Sequence, residues 1–280
     1  MAFTGERITD YMIRTLSKLD PHSAVGTLLR MPLRLIPRSS VVTVRSGLNK
    51  GARWRIGSSI HKCWLGTYEP EKQDLLSRLV RPGMVVWDVG ANAGFYTLAL
   101  SRLVGNDGRV YAFEPLAENV DNILKHVELN DLSNVIVVQA ALDERVGLVG
   151  FETARLNSMG QISEKDGSYL VPAFTVDEFV AQHPDARPDL LKIDVEGAES
   201  GLLLGATQFL TNAAPDIVLA LHGKAQSRTC FEQLIKLGYT LSRLDGSPMP
   251  AARPGERDEI YAVKGSDSTG ANADRRTTPQ

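Results

Sequence analysis

Residues 85–100, VVWDVGANAGFYTLAL, decide how this 280-residue chain folds. An unalternating apolar run ends on Asp88, and a turn carrying Gly90 and Gly94 leads into a helix. Such a run predicts a strand buried on both faces. A glycine turn between strand and helix is where a doubly wound sheet meets a nucleotide-like ligand. The glycines let the backbone come close, and the helix's first N–H groups are free for an anion.

Working outward, VYAFE (110–114) reads as a second strand ending on Glu114, a carboxylate able to accept both hydroxyls of a ribose. PLAENVDNILKHVELN (115–130) is a helix with Pro115 at its first position and Val120, Ile123, Leu124 and Val127 on one face. NVIVVQAAL (134–142) is a third strand, and 144–174 is strand-like and irregular. Thr175–Glu178 is a capping box opening a helix. LLKID (190–194) and DIVLAL (216–221) are further strands, each followed by a helix, at 198–210 and 227–237. YTLSRL (239–244) and EIYAV (259–263) close the chain as an antiparallel pair, because a parallel crossover usually needs a helix between them. Alternating strands and helices predict an α/β fold, a mostly parallel sheet with helices on both faces.

Upstream, residues 41–56 predict two short strands around a Gly/Asn turn, and 8–19 an amphipathic helix that Pro32 and Pro37 keep from extending. The polar tail from about 265 predicts disorder. The divisions expected are a basic extension (1–65), an α/β body (66–264) and the tail (265–280). The net charge of −2 argues against a nucleic-acid binder held by global charge, yet it hides a split. Residues 1–62 hold eleven Lys/Arg against three acids, net +8, and the remainder carries −10. The basic segment predicts a cap docked on the acidic body or, alternatively, peripheral contact with an anionic membrane. Cys63 and Cys230 flank no ligand pattern, which predicts small buried hydrophobes in a reducing, cytoplasmic compartment. No apolar run suits a membrane span, and charges interrupt any signal peptide at the N-terminus.

The nucleotide can be narrowed. A dinucleotide fingerprint needs glycines where this chain has Gly90, Asn92 and Phe95, so two of three fail, although Glu114 lies 20 residues past Gly94. Asp88 and the Gly-x-Asn-x-Gly turn suit S-adenosylmethionine better, since its methionine part offers a carboxylate to the helix N-terminus and an ammonium to an acid. An NAD-dependent Rossmann oxidoreductase is the alternative.

The chain resembles the FkbM family of S-adenosylmethionine-dependent methyltransferases. The resemblance is carried by GTYE (66–69), VVWDVGANAGFYTLAL (85–100), GRVYAFEP (108–115), VVQAAL (137–142), LLKIDVEGAE (190–199), LLGA (203–206) and Gly238–Tyr239. It implies a class I, Rossmann-like sheet of seven strands with the last antiparallel, and O-methylation of a sugar, glycan or natural product. It also implies roles. Asp88, Gly90, Asn92 and Gly94 line the methionine part and its turn, with Tyr96 and Thr97 near the carboxylate. Glu114 holds the ribose, Ala141 and Leu142 flank the adenine, and Asp194 faces the methyl donor or acceptor.

The sulfonium already activates the methyl group, so the remaining demands are alignment of an acceptor oxygen and removal of its proton. The candidate bases are Asp194, Glu196, Glu199 and His222, which follows strand five in LALHGK. Glu199 and Glu196 also suit a helix N-terminus. Many family members carry an acid in strand five where this chain has Ala220, which leaves a non-catalytic cofactor-binding module as a further alternative. Asp194-x-Glu196 offers only two oxygen ligands, too few to specify a metal, so none is expected. Tyr68 and Glu69 are placed either as a cap on the cofactor site or as a linker. Asn157 and Ser158 lie in the stretch expected to face the acceptor, and Lys192 is expected at a sheet edge or beside an acid.

Overall fold

The structure, a computed structural model, describes residues 37–153, 160–163, 169–249 and 257–265. The helix expected at 8–19, Asn157, Ser158 and the tail beyond 265 lie outside the described residues. The described residues open with an antiparallel hairpin, β1 (Val41–Thr43) and β2 (Arg53–Arg55), then helices α1 (His61–Leu65) and α2 (Pro70–Leu79). The alternating body runs β3 (Val85–Val89), α3 (Phe95–Val104), β4 (Arg109–Phe113), α4 (Ala117–Leu129) and β5 (Val135–Val138). Four short strands follow: β6 (Ala141–Leu142), β7 (Gly147–Thr153), β8 (Gly160–Ser163) and β9 (Tyr169–Phe174). The chain continues through α5 (Val176–Gln182), β10 (Leu190–Ile193), α6 (Glu199–Leu204), α7 (Thr207–Ala213), β11 (Asp216–His222) and α8 (Lys224–Lys236). The last described elements are β12 (Tyr239–Arg243) and β13 (Arg257–Lys264).

The main sheet has the order β12-β13-β11-β10-β3-β4-β5, with β13 antiparallel to both neighbours. From β3 the chain moves outward through β4 to β5 and then returns to β10 on the other side, which puts the topological switch between β3 and β10. Successive residues feed the two faces: Trp87 and Val89 join one core cluster with Leu191 and Ile193, while Val86 and Leu190 join the other.

Several expectations shift. The third strand divides, since pairing with β4 stops at Val138 and Ala141–Leu142 turns away to pair with β9 in a second sheet, β6-β9-β7-β8. The helix expected at 198–210 breaks at Gly205, where a Cβ would lie 2.2 Å from the Asp143 carbonyl oxygen. The Asp177 carboxylate then accepts the N–H groups of Gln208 and Phe209, capping α7. Pro115 precedes α4 rather than opening it. Leu124 is 51% exposed, and α4 instead buries Asn119, Asn122 and His126 beside Ile123.

That polar face exists because the hairpin docks on it. The Arg55 N–H donates to His126 Nε2 at 3.1 Å, so the ring carries its proton on Nδ1, 2.8 Å from the Ala93 carbonyl. Asn130 accepts the Arg53 N–H and donates to the Arg53 carbonyl. Trp54 stacks on His126 with centroids 3.8 Å apart and, with Val44 and Ile56, shares a core cluster with Leu76 and Val86 of the body. Residues 37–62 contain six of the eleven N-terminal bases and no acid, yet Arg55–Asp121, at 3.9 Å, joins them to the body by charge alone of the ion pairs among the described residues. Docking is therefore apolar and backbone-mediated, and Arg38, Arg45, Lys50, Arg53 and Lys62 stay exposed. Among the described residues no helix is long and apolar enough to cross a membrane.

Burial, helped by the Arg55 charge, pushes the His126 pKa down from 6.5 to about 4, against the opposing bond to Ala93. The fold holds the neutral ring, so the unfolded chain takes up a proton first as pH falls. The stability His126 contributes is full above pH 6.5 and is lost as pH drops toward 4. The loss amounts to about 3 kcal/mol. Urea midpoints measured across that range should fall less steeply in His126→Gln than in the parent; equal slopes would contradict the assignment.

Candidate active site at the carboxyl edge of the sheet

The carboxyl ends of β3, β4 and β10 open into a cavity of about 220 Å³. Of the expected cofactor residues, Gly90, Asn92, Tyr96, Glu114, Ala141, Leu142 and Asp194 line it. Gly90 belongs there for a steric reason: at φ +72°, a Cβ would stand 1.9 Å from the Asp194 carbonyl oxygen, so the turn passes directly over β10. Glu114 is 4% exposed. It accepts the Asn92 N–H at 2.8 Å, the Leu116 N–H at 3.0 Å and the Asn119 amide at 3.2 Å. Burial raises its pKa despite those donors.

Asp88, Gly94 and Thr97 do not line the cavity. Asp88 is fully buried behind it, 2.9 Å from Lys192 Nζ and accepting the Thr97 hydroxyl at 2.6 Å. Gly94 caps α3 and faces Ile123. Lys192 reaches the cavity instead. It stands beside Asp88 in the β10–β3 register, donates to the Gly90 carbonyl at 3.1 Å and lies 5.3 Å from the Tyr96 ring centroid. Its strand is central, so the sheet-edge placement is corrected and the pairing with an acid holds.

A second lysine ties the approach segment to the sheet. Lys72, 1% exposed on α2, contacts Glu259 Oε1 at 2.6 Å, Glu69 Oε2 at 2.7 Å and Asp194 Oδ2 at 3.6 Å. Burial opposes its charge, but Asp194, Glu69 and Glu259 together hold its pKa above the ordinary lysine value. Tyr96 donates its hydroxyl to Glu69 at 2.8 Å and Tyr68 lines the cavity, so Tyr68 reaches the site itself while Glu69 braces Tyr96 from outside it. Lys72 and Glu259 escaped the sequence reading because their partners lie on elements far apart in the chain. Cys63 also lines the cavity, with burial pushing its thiol up to about 12; it and Cys230 are free and buried, as expected.

The remaining candidates converge at the ends of β10 and β11. His222 Nε2 lies 3.5 Å from Glu196 Oε2 and 3.8 Å from Asp194 Oδ1. Glu199 Oε1 holds His222 Nδ1 at 2.7 Å and accepts the Gly197 N–H at 2.9 Å. That bond to Glu199, outweighing partial burial and supported by Glu196 and Asp194, raises the histidine pKa. Burial would raise the Asp194 pKa, but Lys192, Lys72 and His222 bring it below the usual carboxylate range.

Fold and cavity together define a Rossmann-like α/β domain of the methyltransferase type, with its seventh strand reversed. Within that class the chain belongs to the FkbM methyltransferase family, whose domain model matches residues 88–241, more than half of the chain. The resemblance to S-adenosylmethionine-dependent methyltransferases read from the motifs is thereby borne out, and the oxidoreductase alternative falls. Hexuronic acid methyltransferase AglP of Haloferax volcanii is 27% identical over 214 residues, which cover 74% of this chain and 86% of that protein. Protein-L-isoaspartate O-methyltransferase 1 of Arabidopsis thaliana is 36% identical over 59 residues, 21% of this chain and 26% of that one. Among solved structures, methyltransferase FkbM from Methylobacillus flagellatus superposes with a TM-score of 0.44 at 17% identity, covering 67% of this chain and 45% of the other. The chain thus spans under half of that structure.

Proposed function

We propose that the cavity binds S-adenosylmethionine and that the protein moves its methyl group to an oxygen of a sugar or sugar-derived acid. The observation that carries this reading is the adjacency of two differently equipped strand ends. Glu114 and the Gly90 turn suit a nucleoside, and Asp194, Glu196 and His222 offer acceptor-facing acid–base groups beside it. The name of the AglP relative, a hexuronic acid methyltransferase, supports the acceptor class.

Each residue then has a task. Glu114 accepts the ribose hydroxyls. Ala141, Leu142 and Phe151 offer apolar surface to the adenine. The N-terminus of α3 supplies positive potential for the methionine carboxylate, and Asp88, buried behind the cavity and paired with Lys192, does not reach the ammonium. S-adenosylmethionine supplies a methyl group already activated by its sulfonium. Asp194, Glu196 and His222 hold the acceptor hydroxyl in line and receive its proton, so that the acceptor oxygen gains the carbon as the carbon–sulfur electron pair stays with sulfur. Peripheral contact with an anionic membrane falls to the exposed bases of residues 37–62 and to residues 1–36; vesicle flotation of the full chain against one starting at residue 37 tests the part played by residues 1–36.

Calorimetry with S-adenosylhomocysteine and labelled methyl transfer to a panel of uronic acids and their glycosides test the reading. Binding without turnover on any acceptor would favour the non-catalytic module. Glu114→Ala should weaken S-adenosylhomocysteine by ~1–3 kcal/mol, roughly 5- to 150-fold, because it removes a charged acceptor. An unchanged dissociation constant would take Glu114 out of the site.

A further inference from the structure

We propose that Asp194, Glu196 and His222 form a binding site for a divalent cation of the Mn²⁺ or Zn²⁺ kind. Its assigned use, carrying the acceptor oxygen, rests on the methyl-transfer reading above; the site itself does not.

The geometry is the first support. One ligand atom from each of the three residues lies within 4.8 Å of the others, and two of the separations are 3.5 and 3.8 Å. Ligands about 2.0–2.2 Å from a shared ion stand roughly 3–3.5 Å apart, so modest side-chain rotation closes the set. The expectation of no metal came from counting only Asp194-x-Glu196. The third ligand arrives from β11, and sequence spacing does not show it.

The second support lies behind the histidine. Glu199 Oε1 accepts a hydrogen bond from the His222 Nδ1–H at 2.7 Å, which leaves the Nε2 lone pair on the side of Asp194 and Glu196. A carboxylate on the far nitrogen is the usual support of a metal-bound imidazole. Glu199 has no exposed surface, and its Oε2 is buried without a hydrogen-bond partner. A carboxylate buried in that way is costly unless positive charge lies near.

Charge is the third. Glu69, Asp194 and Glu259 share Lys72, Asp88 pairs with Lys192, and Glu196 and Glu199 reach His222, so the six acids exceed the two lysines by four charges when His222 is neutral. One imidazole with two carboxylates suits Mn²⁺ or Zn²⁺ better than Ca²⁺, which takes six to eight oxygens. A hydroxyl bound to such an ion would give up its proton more readily, to solvent water, while Asp194, Glu196 and His222 hold the ion, which the transfer leaves unchanged.

The test is a Mn²⁺ titration of the chelator-treated full chain followed by electron paramagnetic resonance, with S-adenosylhomocysteine calorimetry on the same samples. We expect about one Mn²⁺ per chain, bound at least tenfold more weakly in His222→Ala and Glu196→Gln. Glu199→Gln, which keeps the volume of the buried side chain, should weaken Mn²⁺ by ~10–100-fold. Circular dichroism checks that each variant folds. Absence of both Mn²⁺ and Zn²⁺ binding at millimolar metal would overturn the site, as would affinities unchanged by these substitutions, and His222 would then be the cation that serves the cluster. Loss of S-adenosylhomocysteine binding with Mn²⁺ retained would overturn the methyl-transfer reading and leave the metal site standing.

Discussion

Lys192→Met should lower the unfolding free energy by about 3–5 kcal/mol, the cost of leaving one partner of a buried ion pair behind. Asp88 has no exposed surface and Lys192 only 3%, and 2.9 Å separates their charges. Without the lysine, Asp88 retains the Thr97 hydroxyl but no cation within its own core layer. The Gly90 carbonyl loses its donor in the same step, so the glycine turn loosens together with the sheet. Adding Asp88→Asn to Lys192→Met should recover a large part of the loss, because no charge is then stranded. Chemical denaturation of the two variants measures this. A single variant within about 1 kcal/mol of the parent would mean that water reaches Asp88.

Gly90→Ala should be nearly as damaging, by about 3 kcal/mol, and should abolish cofactor binding. Two penalties combine. A left-handed conformation costs an alanine roughly 1–2 kcal/mol. The new Cβ would also stand 1.9 Å from the Asp194 carbonyl oxygen and 2.7 Å from its carbon, and neither is a side-chain atom able to swing aside. β3 and β10 must therefore separate where the cavity and the Asp194 carboxylate are formed. Gly83→Ala is the control, since it has φ +85° with nothing within 4 Å of the added carbon. It should show the conformational penalty alone and leave S-adenosylhomocysteine binding intact. Equal losses at the two positions would refute the close-approach argument.

The parts of the site legible in the sequence are those built from contiguous residues. Asp88–Gly94 is a strand end, a turn and a helix start in one stretch, and Glu114 ends a strand immediately before a helix, so local pattern places each of them. Asp194 and His222 are likewise strand-end residues in a parallel sheet. Periodicity misplaces the buried face of α4, because it reports where apolar residues recur and not what covers them: Leu124 faces solvent, while Asn119, Asn122 and His126 are buried under the hairpin and beside the cavity. The place of Lys192 is hidden for a related reason. A lone lysine in an apolar strand looks like an edge feature until the neighbouring strand is known to carry Asp88 at the same level.

By itself, then, the sequence determined the doubly wound α/β class, the strand-end acids, the family and the reversed final strand, because each follows from local periodicity, loop length or an unbroken motif. Only the tertiary structure decided which charges meet. Lys72 joins Glu69, Glu259 and Asp194 from α2, the α2 entry, β13 and the end of β10. Glu199 aligns His222 across 23 residues of chain. Pairings of this kind depend on register and packing between distant segments, and a buried charge finds its partner wherever the fold brings one within about 3–4 Å, irrespective of separation along the chain.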